Sequence, residues 1–141
     1  MNIYIIDDNK YIAGKSLDEI KNLVKNVFSQ LTLPNKTEIC ITFVDDKEMR
    51  KLNSNYRSID RTTDVLSFPQ DNEFLGDLVI SHPTAKKNAK RYNTSLKKEL
   101  QRLIIHGILH LLGFDHKKKK DRDIMRIKEN ELFEFIKGLK I

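Results

Sequence analysis

An apolar helical segment that contains two histidines constrains this chain more than any other feature of its sequence. Residues 103–112 place apolar side chains on every side of a helix, so we expect this helix to be buried all round. His106 and His110 lie four residues apart in it, which separates them by about 40° around the helix axis and one turn along it. Both imidazoles therefore point from one face of a buried helix, where their nitrogens need partners.

A third histidine follows this helix closely enough to join the first two. Gly113 can adopt the left-handed conformation that ends a helix, and the resulting reversal would bring His116 back towards His106 and His110. Three neutral imidazoles and a water are the ligands of an open, catalytic zinc site, whereas four protein ligands usually close a structural one. The spacing therefore predicts one zinc ion per chain. The alternative is two core histidines bonded to backbone carbonyls and an unrelated loop histidine.

The length and composition predict a single globular domain that covers residues 1–141. The chain has 39% hydrophobic and 33% charged residues, which excludes a disordered or collagen-like protein. Its one cysteine, Cys40, excludes a disulfide framework and a cysteine-based zinc ribbon. The sequence has neither the pattern of a signal peptide nor an apolar run long enough to span a membrane. We therefore expect a cytoplasmic protein with no membrane partner.

The predicted secondary structure is that of a small α+β domain with a zincin-like metal helix. The predicted strands cover residues 2–6, 38–44, 65–68 and 75–81. Helices are predicted after a capping box at Ser16–Glu19, from Asp45 to about Asn53, from Pro83 to about Tyr92, from Thr94 or Ser95 to Leu112, and along Ile124, Ile127, Leu132, Phe135 and Leu139. The alternation of strands and helices at the start predicts parallel strand pairs. We expect a mixed sheet of about four strands packed with about five helices.

Positive charge is concentrated in the second half of the chain. The net charge is +6 overall, with −3 over residues 1–85 and +9 over residues 86–141. A basic face suits an anionic partner such as nucleic acid, although an excess of lysine in the composition would give the same imbalance. Lysines 117–120 follow His116 directly, and we expect this run either to contact such an anionic partner or to form a solvated loop.

The residue after the first histidine distinguishes this site from those of zinc proteases. The metzincin pattern places a glutamate there as general base, whereas this chain has Gly107. Peptide hydrolysis would lack its proton acceptor, so a metalloprotease-like hydrolase is the second interpretation. A glycine inside a helix costs up to about 1 kcal/mol relative to alanine, which predicts close approach by another segment.

Three segments resemble motifs of the YbeY family of bacterial rRNA maturation endoribonucleases. They are residues 52–68, 75–81 and 106–116, and together with the chain length they extend the resemblance over essentially the whole chain. The resemblance implies a zinc-dependent, single-strand endoribonuclease of 16S rRNA 3′-end maturation and ribosome quality control. It implies ribosomal RNA and the small ribosomal subunit as partners, and no DNA substrate. A non-catalytic RNA- or ribosome-binding assembly factor is the alternative of a different class.

The resemblance also implies the residues of the site. The implied zinc ligands are His106, His110 and His116, and His110 is also a candidate catalytic residue. Lys117 and Lys118 are candidate contacts to the substrate, although family members usually have acidic residues after the third histidine. Asp115 is a candidate for orienting a ligand imidazole through a hydrogen bond. His82, directly before Pro83, fits a helix start better than a fourth ligand.

Arg57 is the second candidate catalytic residue, and the resemblance implies that it contacts the substrate phosphate. It lies in a polar stretch that we expect to be irregular, where functional residues are common. A guanidinium can bind a phosphate through two hydrogen bonds and stabilise the charge that develops during cleavage. The alternative is a structural ion pair of Arg57 with Asp60, Asp64 or Asp115.

Overall fold

The computed structural model describes residues 1–71 and 73–139 and has an α+β fold. Its sheet contains four strands, which are β1 (Asn2–Ile6), β2 (Glu38–Val44), β3 (Val65–Pro69) and β4 (Phe74–Ser81). In the order β1-β2-β4-β3, the first two pairs are parallel and the β4–β3 pair is antiparallel. The predicted mixed sheet, with parallel pairs at the first crossovers, is confirmed.

The described residues also form five helices, the number predicted. They are α1 (Gly14–Gln30), α2 (Asp46–Arg57), α3 (His82–Arg91), α4 (Leu96–Leu111) and α5 (Lys119–Lys137). Three helices begin at side-chain caps, because Asp45, Ser81 and Ser95 each accept a hydrogen bond from the backbone N–H three residues later. Within the part of the chain described, none of these helices has both the length and the apolar character needed to cross a bilayer.

The helices are divided between the two faces of the sheet. The main core lies on the face covered by α1, α4 and α5, and its strand residues are Ile39, Ile41, Phe43, Leu78 and Ile80. Helix α2 packs on part of the opposite face, where Met49 clusters with Leu66 and Val79. This division places α2 and α4 on opposite sides of the β3–β4 half of the sheet.

Helix α4 is buried along most of its surface, as its apolar sequence predicts. Leu103, Ile104 and Ile108 are at most 1% exposed. The prediction of burial on every side is wrong for one stripe, where Arg102, His106 and His110 are half-buried. Residues four apart share a helix face, so the two histidines lie together on the side of α4 that its neighbours leave partly open.

Two predicted helix boundaries are wrong. Helix α1 begins at Gly14, before the expected capping box, and no side chain caps it. In the loop before this helix, the Asp7 carboxylate accepts hydrogen bonds from the N–H groups of Tyr11 and Ile12. Helix α2 continues beyond Asn53 to Arg57, so the last four residues of this helix are not the irregular stretch expected. The buried Asn53 side chain donates to the Arg61 carbonyl, which fixes the following loop against the helix.

The predicted core face of the last helix is wrong at its first two residues, Ile124 and Ile127. Ile124 and Ile127 are 46% and 59% exposed. The buried residues of α5 are Met125, Ile136 and the predicted Leu132, and the predicted Phe135 and Leu139 pack partly buried against the same core. Packing against α1 and α4 selects this face because it brings the longer apolar stripe, with spacings of seven and four residues, onto the core.

Candidate metal centre

His106 and His110 form the fixed part of the site. The Nε2 atoms of the two imidazoles are 3.1 Å apart, and the ring centroids are separated by 4.6 Å. Both residues sit on the rigid, buried helix α4, so their spacing follows directly from the helical repeat. The predicted convergence of these two imidazoles is confirmed.

The chain reversal after α4 brings the third histidine to the other two. Gly113 has a φ of +96°, in the left-handed region, and its N–H donates to the His110 carbonyl. The His116 ring then lies 4.9 Å from that of His110 and 5.8 Å from that of His106. One ring nitrogen of each histidine lies within 4.8 Å of the others. The structure therefore assembles the three residues that the spacing predicted.

A glutamate from α5 completes the surroundings of the first histidine. Nδ1 of His106 lies 3.1 Å from Oε1 of Glu129, so the ring donates Nδ1–H to the carboxylate and turns its Nε2 lone pair towards His110. Metal-bound histidines commonly donate their second nitrogen in this way. Glu129 was not predicted from the sequence. The pattern that could have indicated it is its helical spacing from Met125 and Leu132, which places its carboxylate on the buried face of α5.

The donor set fits an imidazole-bound metal ion. Neighbouring nitrogens around tetrahedral zinc lie about 3.3 Å apart, given Zn–N bonds of about 2.0–2.1 Å, and the observed His106–His110 separation of 3.1 Å is close to this. Burial lowers the pKa of His110, and the neighbouring imidazoles of His106 and His116 lower it further. The lowered pKa favours the neutral imidazole, which is the form that ligates metals.

Asp115 acts on the backbone of the loop that carries His116. Its Oδ1 atom accepts the N–H groups of His116 at 2.6 Å and of Lys117 at 3.0 Å. Desolvation raises the pKa of this carboxyl, but the two backbone hydrogen bonds outweigh it and lower the pKa. Asp115 therefore shapes the turn, whereas the contact with a ligand imidazole comes from Glu129.

Arg57 is the exposed last residue of α2. The carboxylates considered as its structural partners are engaged elsewhere: Asp60 pairs with Arg50 at 2.9 Å, and Asp64 lies 3.6 Å from Arg102. Asp115 binds backbone, and no ion pair among the described residues includes Arg57. The alternative of a structural ion pair with Asp60, Asp64 or Asp115 is therefore not found among the described residues.

The edge strand β3 lies between Arg57 and the histidines. On one side of the strand, the ring of Tyr56 packs edge-on against Phe68 with centroids 5.2 Å apart. On the other side, the Ser67 hydroxyl donates to the Gly107 carbonyl of α4 at 3.4 Å. The two parts of the predicted site thus flank one edge of the sheet, with no direct hydrogen bond between them in the described chain.

Gly107 allows α4 to pack closely on the sheet. A Cβ atom built there would lie 2.7 Å from a methyl carbon of Leu78 on β4, so the predicted close approach is confirmed. A glutamate at this position would point into the core rather than stand free beside the histidines. The glutamate that acts as general base in the metzincin pattern is therefore absent, and the packing around Gly107 leaves no space for it.

The remaining candidate residues lie around this centre or away from it. Lys117 and Lys118 are exposed directly after His116, and Lys118 is the residue before α5. His82 stacks on Tyr11 with ring centroids 4.5 Å apart, and burial lowers its pKa. His82 thus has an aromatic partner at the start of α3 and is outside the histidine cluster, as its position before Pro83 predicted.

Comparison with known proteins agrees with this geometry. The family model described as Endoribonuclease YbeY matches residues 3–137. Endoribonuclease YbeY of Sulfurihydrogenibium sp. is 39% identical over 135 residues, which cover 89% of this chain and 88% of that relative. Endoribonuclease YbeY of Aquifex aeolicus is 47% identical over 106 residues, or 72% and 70% of the two chains.

A solved structure shares the fold. The solution structure of TM1509 from Thermotoga maritima is similar with a TM-score of 0.64 and 27% identity, covering 96% of this chain and 92% of that protein. The family match spans α4 with His106 and His110, the following loop with His116, Glu129 of α5, and also α2 and the strands on which α2 and α4 pack. This protein belongs to the YbeY endoribonuclease family.

Proposed function

We propose that this protein is a zinc-dependent endoribonuclease for single-stranded RNA that acts in 16S rRNA 3′-end maturation and ribosome quality control. In this proposal, residues 1–141 form one catalytic domain that acts in the cytoplasm on ribosomal RNA and the small ribosomal subunit. Membership of an endoribonuclease family implies an RNA substrate. The observation that carries the zinc dependence is the cluster of three histidine nitrogens within 4.8 Å of one another.

The histidines hold the metal, and Glu129 positions one of them. Imidazoles suit zinc, and a zinc ion with an open position lowers the pKa of bound water and polarises a phosphoryl oxygen. His106, His110 and His116 would be the ligands, so the catalytic role of His110 is ligation. Glu129 keeps Nδ1 of His106 protonated and its Nε2 lone pair directed towards the site.

Arg57 supplies a second positive charge from the other side of strand β3. Its guanidinium is exposed and has no ion-pair partner among the described residues, so it is free to bind a phosphate oxygen of the substrate. Together with a metal held by the histidines, this arginine would stabilise the negative charge that develops on the phosphate during cleavage. Lys117 and Lys118 would contact neighbouring phosphates, and Asp115 would hold the turn that carries them.

Two other functions were considered for this chain, a metalloprotease-like hydrolase and a non-catalytic assembly factor, and different observations bear on each. Peptide hydrolysis is disfavoured because Gly107, packed on Leu78, stands where a zinc protease needs its glutamate base. A non-catalytic assembly factor is favoured only by the basic second half of the chain, which a ribonuclease also needs. We therefore expect the histidine cluster, and not basic charge alone, to determine activity.

The test is to remove one ligand and measure metal content, RNA binding and RNA cleavage on the same protein. We expect His110→Ala to lose bound zinc and cleavage of single-stranded RNA while it keeps its fold and most of its RNA affinity. His82→Gln is the matched control, because His82 is a half-buried histidine outside the cluster. Wild-type cleavage by folded, zinc-free His110→Ala would contradict the zinc dependence, whereas RNA binding without cleavage by the zinc-loaded wild type would leave the assembly factor in its place.

A further inference from the structure

Helices α4 and α5 enclose a groove whose lining residues begin one helical turn from His106 and Glu129. Its volume is about 690 Å³. Arg102 and Lys98 line it from α4, Phe133 and Lys137 line it from α5, and Tyr92 lies at the end of α3. The groove is therefore partly apolar along its walls and carries cationic groups near its rim.

The groove continues from the metal centre along the same pair of helices. The hydrogen bond between His106 and Glu129 joins α4 to α5 at the centre. Arg102 precedes His106 by four residues and Phe133 follows Glu129 by four, so each lies one turn further along its helix on the same side. Lys98 lies one more turn away, about 12 Å from His106 along the helix axis. A strand bound at the centre can thus extend into the groove.

Tyr92 offers an exposed aromatic surface at the far end of the groove. Its side chain is 57% exposed, although it is large and apolar. The guanidinium carbons of Arg91 and Arg102 both lie 6.0 Å from its ring centroid. An exposed aromatic ring flanked by guanidinium groups is suited to stacking of a nucleobase, whose phosphates the cations would bind.

The charges of the groove favour an anionic partner. Its one carboxylate, Glu99, is only 1% exposed and is neutralised by two hydrogen bonds from Arg102, at 2.8 and 2.7 Å. Lys98 has no ion-pair partner among the described residues. Lys137 pairs only with Glu134, and both side chains of that pair are 73% exposed, so water screens the interaction. Two ammonium groups therefore remain available at the rim.

We propose that the groove between α4 and α5 binds a segment of single-stranded RNA next to the phosphodiester held at the histidine cluster. One base of this segment stacks on Tyr92, and Lys98 and Lys137 bind its phosphates. The inference rests on the proposed function for the location of the cleaved bond. RNA binding in the groove is a separate property, and it can be measured without cleavage.

The first experiment measures binding of fluorescein-labelled single-stranded RNAs of increasing length by anisotropy, with RNA integrity checked on a gel. We expect Tyr92→Ala to weaken binding of long RNAs about tenfold, since stacking on an aromatic side chain is worth roughly 1–3 kcal/mol per base. Tyr92→Phe keeps the ring and should bind within about twofold of wild type. Short RNAs that occupy only the histidine cluster should bind Tyr92→Ala and wild type equally.

The second experiment changes charge without touching the aromatic ring. The Lys98→Gln/Lys137→Gln variant should flatten the slope of log affinity against log salt by about 1.4, since each phosphate contact to a single strand contributes about 0.7. Lys21→Gln/Lys25→Gln is the matched control, because both lysines are exposed on α1 and neither lines the groove. Arg102 is left unchanged, since removing it would strand the buried Glu99 carboxylate.

The possible results distinguish a failure of the groove proposal from a failure of the proposed function. Equal affinity of Tyr92→Ala and wild type for long RNAs, or an equal loss for short and long RNAs, overturns the groove proposal while wild-type cleavage stands. An unchanged salt slope in the groove variant, or the same change in the α1 control, also overturns it. Failure of the proposed function has a different signature, in which the zinc-loaded wild type binds RNA but cleaves none.

Discussion

The two sides of the candidate site are built in different ways. On the α4 side, two histidines project from a helix packed on the sheet, and Glu129 of α5 fixes one ring by a hydrogen bond. On the α2 side, Arg57 is exposed at a helix end that closes on Ser58, a residue with a φ of +56°. The comparison teaches that packing fixes the relative positions of His106 and His110 in advance, whereas the proposed phosphate contact depends on the reach of the exposed Arg57 side chain.

Replacing Arg57 should have the largest effect on RNA cleavage, and it tests whether the α2 side takes part in the reaction. We expect Arg57→Ala to slow single-turnover cleavage of single-stranded RNA about 100- to 1,000-fold, the usual effect of removing one donor to a developing oxyanion. Zinc content and circular dichroism should stay at wild-type values, because no described ion pair depends on Arg57. Arg57→Lys should recover little, since an ammonium cannot reproduce the planar fork of a guanidinium.

Arg61→Ala is the control for the Arg57 experiment. Arg61 is an exposed arginine in the loop that follows α2, and its variant removes the same charge from the same region. It should cleave at close to the wild-type rate. If Arg57→Ala cleaves as well as Arg61→Ala does, the α2 side takes no part in the chemistry and the site is confined to α4 and α5.

Replacing Glu129 tests the α4 side of the site, and its effect on zinc affinity should be smaller than the effect of Arg57→Ala on cleavage. We expect Glu129→Ala to weaken zinc affinity about 10- to 100-fold, because His106 loses the acceptor that sets its tautomer and ring orientation. Glu129→Gln keeps an acceptor oxygen and should lose less. Titration with a competing chelator measures both, and Glu131→Ala is the control, since Glu131 is exposed on the same helix. Equal zinc affinity in all three variants would show that Glu129 does not position the ligand.

The sequence predicts the two sides of the site unequally, and the reason is physical. His106 and His110 are predictable because helical periodicity alone fixes their relation, and Gly113 marks where the chain turns back to His116. Glu129 depends on which face α5 turns to the core. That choice is made by packing against α1 and α4 and not by local propensity, which is why Ile124 and Ile127 were wrongly expected inside.

The α2 side was harder to predict because a tertiary contact decides where its helix ends. The polar residues after Asn53 have no apolar period, so the sequence indicates a loop. In the structure, Asn53 is buried and holds the Arg61 carbonyl, and the helix continues to Arg57. The ion-pair partners could not be predicted either, since Asp60 pairs with Arg50 and Asp64 with Arg102 rather than with Arg57.

Replacing Lys117 and Lys118 should have a smaller effect than either change above, and it should act on RNA affinity. Their loop belongs to neither the α4 side nor the α2 side of the site. Both are exposed and have no ion-pair partner in the described chain, so they can move to a phosphate with little loss of existing contacts. Lys117→Gln/Lys118→Gln should weaken RNA binding broadly and flatten the salt dependence by about 1.4 in slope, without altering zinc content. Lys21→Gln/Lys25→Gln serves again as the control for charge alone. If both double variants give the wild-type slope, the lysine run is a solvated loop and takes no part in substrate binding.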